Sequence, residues 1–160
     1  MKKSPENFKQ KWSTLFKKHT LTLTLNLAVA VADSMENRMN QNNQLHHEKL
    51  EVYQVSIQFL ALVSVLIKNL PRGNGEIKDQ LKSASFSIIL NISEGYGKNG
   101  PDDRSRFYEI AKGSSNESAA ILDVCKILGI ISEEEHNKGK NLLYRIVCML
   151  VKLCQYQRSS

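Results

Sequence analysis

From Glu48 to Leu70 the chain carries neither glycine nor proline, and apolar side chains fill most positions around the helical turn. Leu50, Tyr53, Ile57, Leu60, Ser64 and Ile67 recur at steps of three and four, while Val52, Val55, Phe59, Leu62, Val63 and Leu66 occupy the other faces. A helix that is apolar over most of its circumference must be covered on more than one side. This stretch therefore predicts a helix buried within the monomer and in contact with a second subunit. Pro71 cannot continue the helix, and Gly73 and Gly75 supply the turn that follows.

Three more helical periods follow. Ile77, Leu81, Ala84, Ile88 and Ile92 form one stripe, so the segment from Glu76 to Glu94 is expected to be a helix although "SFSIIL" alone would pass for a strand. A third helix opens at Pro101, whose missing N–H costs nothing in a first turn, and Asp102 and Asp103 complement the positive end of its dipole. Phe107, Ala111, Ser114, Ser118, Ile121, Cys125 and Leu128 then alternate steps of four and three, a heptad seam. The seam passes Gly113, Ser114 and Ser115, where small residues are expected to admit a neighbouring helix, and Gly129 marks the stop. Ser132 and Glu135 form a capping box for a fourth helix. Its apolar face is Leu142, Leu143, Ile146, Val147, Leu150, Val151, Leu153 and Cys154. Four long helices with short connections predict an all-α protein, an antiparallel up-down-up-down four-helix bundle.

The turn between the second and third helices reads "GYGKNG", Gly95 to Gly100, and fits G-x-G-x-x-G. A dinucleotide fingerprint needs a strand before its first glycine and a βαβ unit around it. Here a long amphipathic helix precedes the glycines, so they are expected to turn the chain: Gly95 or Gly97 stops one helix and Gly100-Pro101 starts the next. No Glu-x-x-His pair of the kind that builds di-metal bundle sites occurs on a helix with a partner set. Glu133 and His136 have the spacing but lie in the capping turn, and His46 and His47 sit in the preceding linker. We therefore expect no catalytic residues, no cofactor, no metal and no small-molecule substrate. Cys125, Cys148 and Cys154 lie in apolar periodic segments without zinc spacing, as expected for buried thiols in a reducing, cytoplasmic compartment.

Residues 1–44 stand apart. They begin with a basic region from Lys2 to Lys18, then an apolar run from Leu21 that ends in Ala30-Val31-Ala32, which imitates a secretory signal. The long basic region and the polar Thr20, Thr22, Thr24 and Asn26 argue against one, and the run is too short to span a membrane. The alternation of Leu21, Leu23, Leu25 and Leu27 reads locally as a strand. We read residues 1–44 as a basic amino-terminal extension or disordered arm outside the fold, with Met35 or Met39 as the natural initiator, and residues 45–158 as the bundle domain. Of the net charge of +6, residues 1–34 hold six lysines against Glu6 and Asp33, or +4; residues 35–160 hold the other 16 basic and 14 acidic side chains, or +2. The domain itself is only mildly positive.

The stretch "SIILNISEGYG" followed by "RFYEIAKGSSNES" resembles the four-helix-bundle family of proteins encoded by intervening sequences within bacterial 23S ribosomal RNA genes. That family also includes the accessory protein of diversity-generating retroelements. The residues that carry the resemblance are Ser87-Ile88, Asn91-Ile92, Glu94-Gly95, Phe107, Ala111, Gly113-Ser114 and Glu117, with "EKLEVYQ" at Glu48 to Gln54 and "ILGIIS" before the fourth helix. It covers Leu45 to about Gln157, and residues 1–44 lie outside it. The resemblance implies a cyclic homopentamer of antiparallel bundles. Retroelement members bind a reverse transcriptase and RNA through a strongly basic surface, from which this domain departs with its charge of +2.

Asn91, Glu94, Gly95, Phe107, Ser114 and Glu117 are read as structural, the polar ones forming a buried hydrogen-bond network that joins the second and third helices. For RNA, the candidates are Lys98, Arg104, Arg106 and Lys112 near the start of the third helix, and Lys138, Arg145 and Lys152, seven apart on one face of the fourth. The expected function is a non-enzymatic homo-oligomeric bundle that binds RNA or an RNA-bound protein, with no membrane contact. The alternative is an accessory scaffold for a reverse transcriptase, or a protein-binding module without nucleic acid.

Overall fold

Pro71, Gly100-Pro101 and Gly129 punctuate the chain at the ends of its helices, and the elements fall between them. A computed structural model describes residues 43–159; the expectations for residues 1–42 (the strand-like leucines, the signal-like run, the alternative starts) lie outside the described residues. A single 3-10 turn, His46–Lys49, leads into four α-helices: α1 (Glu51–Asn69), α2 (Gly75–Gly97), α3 (Pro101–Ile127) and α4 (Glu133–Arg158). No strand occurs among the described residues. Each of α1 and α3 packs on both α2 and α4, while the backbones of α1 and α3, and those of α2 and α4, stand apart across the core. The result is a four-cornered helical bundle within the unit Leu45–Ser160.

The helix ends follow the sequence signals. Gly73 has φ 93° in the α1–α2 turn and Gly129 has φ 66° after α3, the only positive values among the described residues. Pro101 stands in the first turn of α3. At the start of α4 the Glu135 N–H donates to Ser132 Oγ at 3.2 Å, and the Ser132 N–H donates back to Glu135 Oε2 at 2.8 Å. This reciprocal cap satisfies two N–H groups that the helix cannot pair internally.

The core runs through Val55, Phe59, Val63 and Leu66 of α1, Leu81, Ile88 and Ile92 of α2, Leu122 and Cys125 of α3, and Leu143, Ile146 and Leu150 of α4. On α2, the stripe from Ile77 to Ile92 faces inward as expected. On α1 the inward face is the other one. Val52, Val55, Phe59, Val63 and Leu66 are buried, while Ile57 and Val65 are 42 % and 54 % exposed. By length and composition α1 alone among the described helices could cross a membrane, yet in the bundle this stripe is covered by the other helices.

Buried serines line the inward face of α3. The hydroxyls of Ser115 and Ser118 donate to the carbonyls of Ala111 and Ser114, four residues back, at 2.8 and 2.9 Å. Ser56 does the same toward Val52 on α1. A hydroxyl satisfied by its own helix can be buried without a partner elsewhere. Such residues keep the side chains on this face of α3 short. Gly113, expected to share that role, instead faces outward and is exposed.

"GYGKNG" turns the chain as expected, with α2 ending at Gly97 and Gly100 standing just before Pro101 of α3, but its first glycine has a different task. Gly95 does not stop α2, which continues to Gly97, and neither glycine has a positive φ. Gly95 is buried against α3. A Cβ added there would lie 2.8 Å from Tyr108 Cε1 and 3.0 Å from Phe107 Cβ, whereas one added at Gly97 would meet nothing within 4 Å. The first glycine serves close packing of two helices, and Lys98 ends the helix in extended conformation.

Candidate functional site

Three places on the bundle concentrate polar or charged groups. The first is the α2–α3 contact. Ser87 Oγ and Ser114 Oγ lie 2.8 Å apart, and the Asn91 side-chain amide donates to the Ser87 carbonyl at 2.7 Å and to its hydroxyl at 3.1 Å. This is a small closed network. Among the described residues no buried side-chain N or O atom lacks a hydrogen-bond partner.

The second is the α2–α3 turn. Lys98 Nζ pairs with Glu94 at 3.0 Å and stands 4.8 Å from the Phe107 ring centroid. Arg104 Nε donates to the Lys98 carbonyl at 2.6 Å, which ties the start of α3 to the end of α2. That bond uses one of five donors, and the terminal amino groups of Arg104 make no hydrogen bond among the described residues. Arg106 is exposed and has no ion pair among the described residues. Further along, Lys112 pairs with Glu109, whose other oxygen accepts from Arg158 at 3.3 Å. The bond to Lys112 holds the Glu109 carboxyl below its usual pKa.

The third is the α1–α4 face, where an open groove of about 630 Å³ has an apolar floor of Ala61, Leu62, Val65 and Leu142 with Lys138 and Arg145 along its edge. Arg145 also reaches Glu51 at 3.2 Å. Lys152 lines a second, smaller hollow further along the same pair of helices, with Leu50, Met149 and Leu153.

One polar cluster goes beyond what the sequence pattern suggests. His136, only 9 % exposed, donates from Nε2 to Asp123 Oδ1 at 2.7 Å, and Lys140 Nζ donates to Asp123 Oδ2 at 2.8 Å. Asp123 thereby joins α3 to two turns of α4. The only sequence signal for it is the position of Asp123 two residues before Cys125 of the α3 seam, while His136 reads locally as part of the capping turn. Lys140 first, and His136 second, hold the Asp123 carboxyl below the ordinary range. A depressed carboxylate pKa contributes stability that is present above its unfolded value of about 3.9 and lost as pH falls through the folded value. Because the Asp123 side chain is 48 % exposed, the ion pairs contribute under about 1 kcal/mol. Asp123→Asn is expected to unfold at lower urea than the parent at pH 7. That difference should shrink as pH falls below about 4. A gap that persists unchanged at about pH 2, below the ordinary carboxylate range, contradicts this.

These sites contain no cluster of three or more His, Cys, Asp or Glu able to hold a metal among the described residues. Cys125 and Cys154 are buried and free, and burial pushes both thiols up, away from the thiolate that nucleophilic chemistry needs. The family model of the 23S rRNA-intervening sequence protein matches residues 48–152. The chain belongs to this family. Among solved structures it is similar to a protein of unknown function from the S23 ribosomal protein family of Bacteroides thetaiotaomicron VPI-5482. Identity is 23 %, the TM-score is 0.60, and the match covers 64 % of this chain and 97 % of the other. That likeness concerns the fold alone. Comparison with curated protein sequences gives no match.

In this 23S rRNA-intervening sequence family protein the motif residues divide. Asn91 and Ser114 belong to the network with Ser87, which is half-buried rather than buried, Gly95 and Phe107 form the close helix contact, and Glu94 and Glu117 stand outside both. Glu94 is exposed and paired with Lys98, and Glu117 is exposed, so neither joins the buried network that the sequence suggests. The member of that network missing from the expectation is Ser87. The seven cations also separate. Lys98, Arg104 and Arg106 gather at the α2–α3 turn, Lys112 is occupied by Glu109, and Lys138, Arg145 and Lys152 follow the α1–α4 face.

Proposed function

We propose that this family member is a non-enzymatic, homo-oligomeric bundle of the bacterial cytoplasm that binds structured RNA at the α2–α3 turn. Its helices run up-down-up-down. The cross-helix bonds support that order: Glu109 meets Arg158 and Asp123 meets Lys140, so position rises on α3 as it falls on α4. The open apolar side chains of α1 support assembly with further copies, for which a cyclic homopentamer is the arrangement we favour.

One observation carries the RNA reading. Arg104, half-buried, is oriented by a single bond to the Lys98 carbonyl, its terminal amino groups make no further hydrogen bond among the described residues, and Arg106 two residues on is exposed. A guanidinium held in this way presents paired donors to phosphate oxygens at little entropic cost. Lys98 is paired with Glu94 but stands at the same turn; Lys112 and Arg145, on carboxylates away from it, are weaker candidates.

The test is fluorescence anisotropy with a labelled structured RNA. If Lys98, Arg104 and Arg106 each neutralise one phosphate, affinity per protomer falls about 40-fold between about 50 and 200 mM salt, from a slope of about −0.9 per contact. Arg104→Glu with Arg106→Glu should abolish most of that salt dependence. Absence of binding at the lower salt, or equal binding at both, removes the RNA reading. A protein partner captured equally well after nuclease treatment would favour the scaffold alternative.

A further inference from the structure

Two faces of the bundle are open in complementary ways. Because α1 and α3 occupy diagonal corners, as do α2 and α4, the α1–α4 face and the α2–α3 face lie on opposite sides. The α1–α4 face holds the groove described above, apolar along Ala61, Leu62, Val65 and Leu142 and edged by Lys138 and Arg145. On the α2–α3 face, the contact between Ser87 and Ser114 marks where the two helices meet. One turn from it stand Leu90, 65 % exposed, and Ile110, 42 % exposed. Glu117 lies one turn from Ser114 on the other side, exposed and without an ion pair among the described residues.

We propose that the α1–α4 groove of one copy receives the α2–α3 face of a second copy. Leu90 and Ile110 would sit on the apolar floor, and Glu117 would face Lys138 and Arg145. The proposal rests on the homo-oligomeric reading above and says which surfaces meet. Phosphate gains nothing from an apolar floor, whereas exposed leucine and isoleucine do. The edge cations and the unpaired acid carry opposite signs, which aligns the two surfaces. Because the two surfaces differ, the contact is heterologous: every copy keeps one groove and one face unfilled until the chain of contacts closes on itself. It follows that Lys138 and Arg145 serve the subunit contact, and RNA is left to the α2–α3 turn.

Two variants of the full chain test this by light scattering after gel filtration. Lys138→Glu with Arg145→Glu spoils the groove and leaves the α2–α3 face intact. Leu90→Glu with Ile110→Glu spoils that face and leaves the groove intact. All four side chains are exposed, and circular dichroism confirms that each variant remains helical. Each variant alone is expected to run as a monomer. Mixed in equal amounts, they should form a dimer of about 36 kDa, twice the 18.1 kDa chain, since one good junction remains. If the parent is oligomeric but either variant keeps its size, or the mixture stays monomeric, this pairing of faces is wrong while self-assembly stands. A monomeric parent overturns self-assembly as well.

Discussion

Phe59→Ala lowers the stability of the bundle by about 3–5 kcal/mol, the range for deleting a large aromatic ring from a packed core. Phe59 is fully buried in the middle of α1, and α1 owes its place to this one stripe. Its outer side carries Ile57 and Val65 in the open, so no other apolar face of α1 compensates within the subunit for the missing ring. The check is urea denaturation followed by circular dichroism at fixed protein concentration, since self-association raises apparent stability. A decrease below about 1 kcal/mol would mean that the site collapses around the missing ring, and that the core is more compliant than the packing indicates.

Gly95→Val costs about 3 kcal/mol, at the upper end for overpacking a tight contact. An added Cβ already meets Phe107 Cβ at 3.0 Å and Tyr108 Cε1 at 2.8 Å. The Phe107 atom is fixed to its backbone and cannot rotate away, and the Tyr108 ring is buried. Alanine is the intermediate case, because its better helix propensity returns about 1 kcal/mol of a smaller clash. Gly97→Ala, two residues on and facing open space, should change stability by less than about 0.5 kcal/mol. The graded series Ala and Val at position 95, against no response at 97, separates close packing from a backbone requirement. Equal responses at the two glycines would refute it. The series also probes the RNA reading indirectly, since forcing α2 from α3 displaces the Lys98 carbonyl that orients Arg104.

Much of this is legible in the chain before any coordinates. The Gly-free run from Glu48, the stripe from Ile77 to Ile92, the heptad on α3 and the capping box at Ser132 are all local patterns. A period of three and four residues states the secondary structure directly. Family membership is legible for a related reason: the residues that carry the resemblance, such as Asn91-Ile92, Glu94-Gly95 and Gly113-Ser114, lie in short stretches on either side of one turn. What the patterns leave undecided is direction. On α1 two apolar stripes compete, and periodicity alone does not say which one a neighbouring helix will cover; the stripe through Phe59 faces inward and the one through Ile57 does not. On α4, His136 reads as part of a polar cap until Asp123 arrives from another helix, a pairing 13 residues apart.

The sequence by itself determined four helices, their stops and the family, because each rests on interactions within a few residues of one another along the chain. Only the tertiary structure decided the task of Gly95, the members of the α2–α3 network and the division of the seven cations. Those depend on which side chain of one helix meets which of the next. Lys138 and Lys152 are equally basic in sequence and share one helix face, yet the first edges the wide groove and the second the smaller hollow. Charge is a property of the residue, but the surface it serves is a property of its neighbours across the bundle.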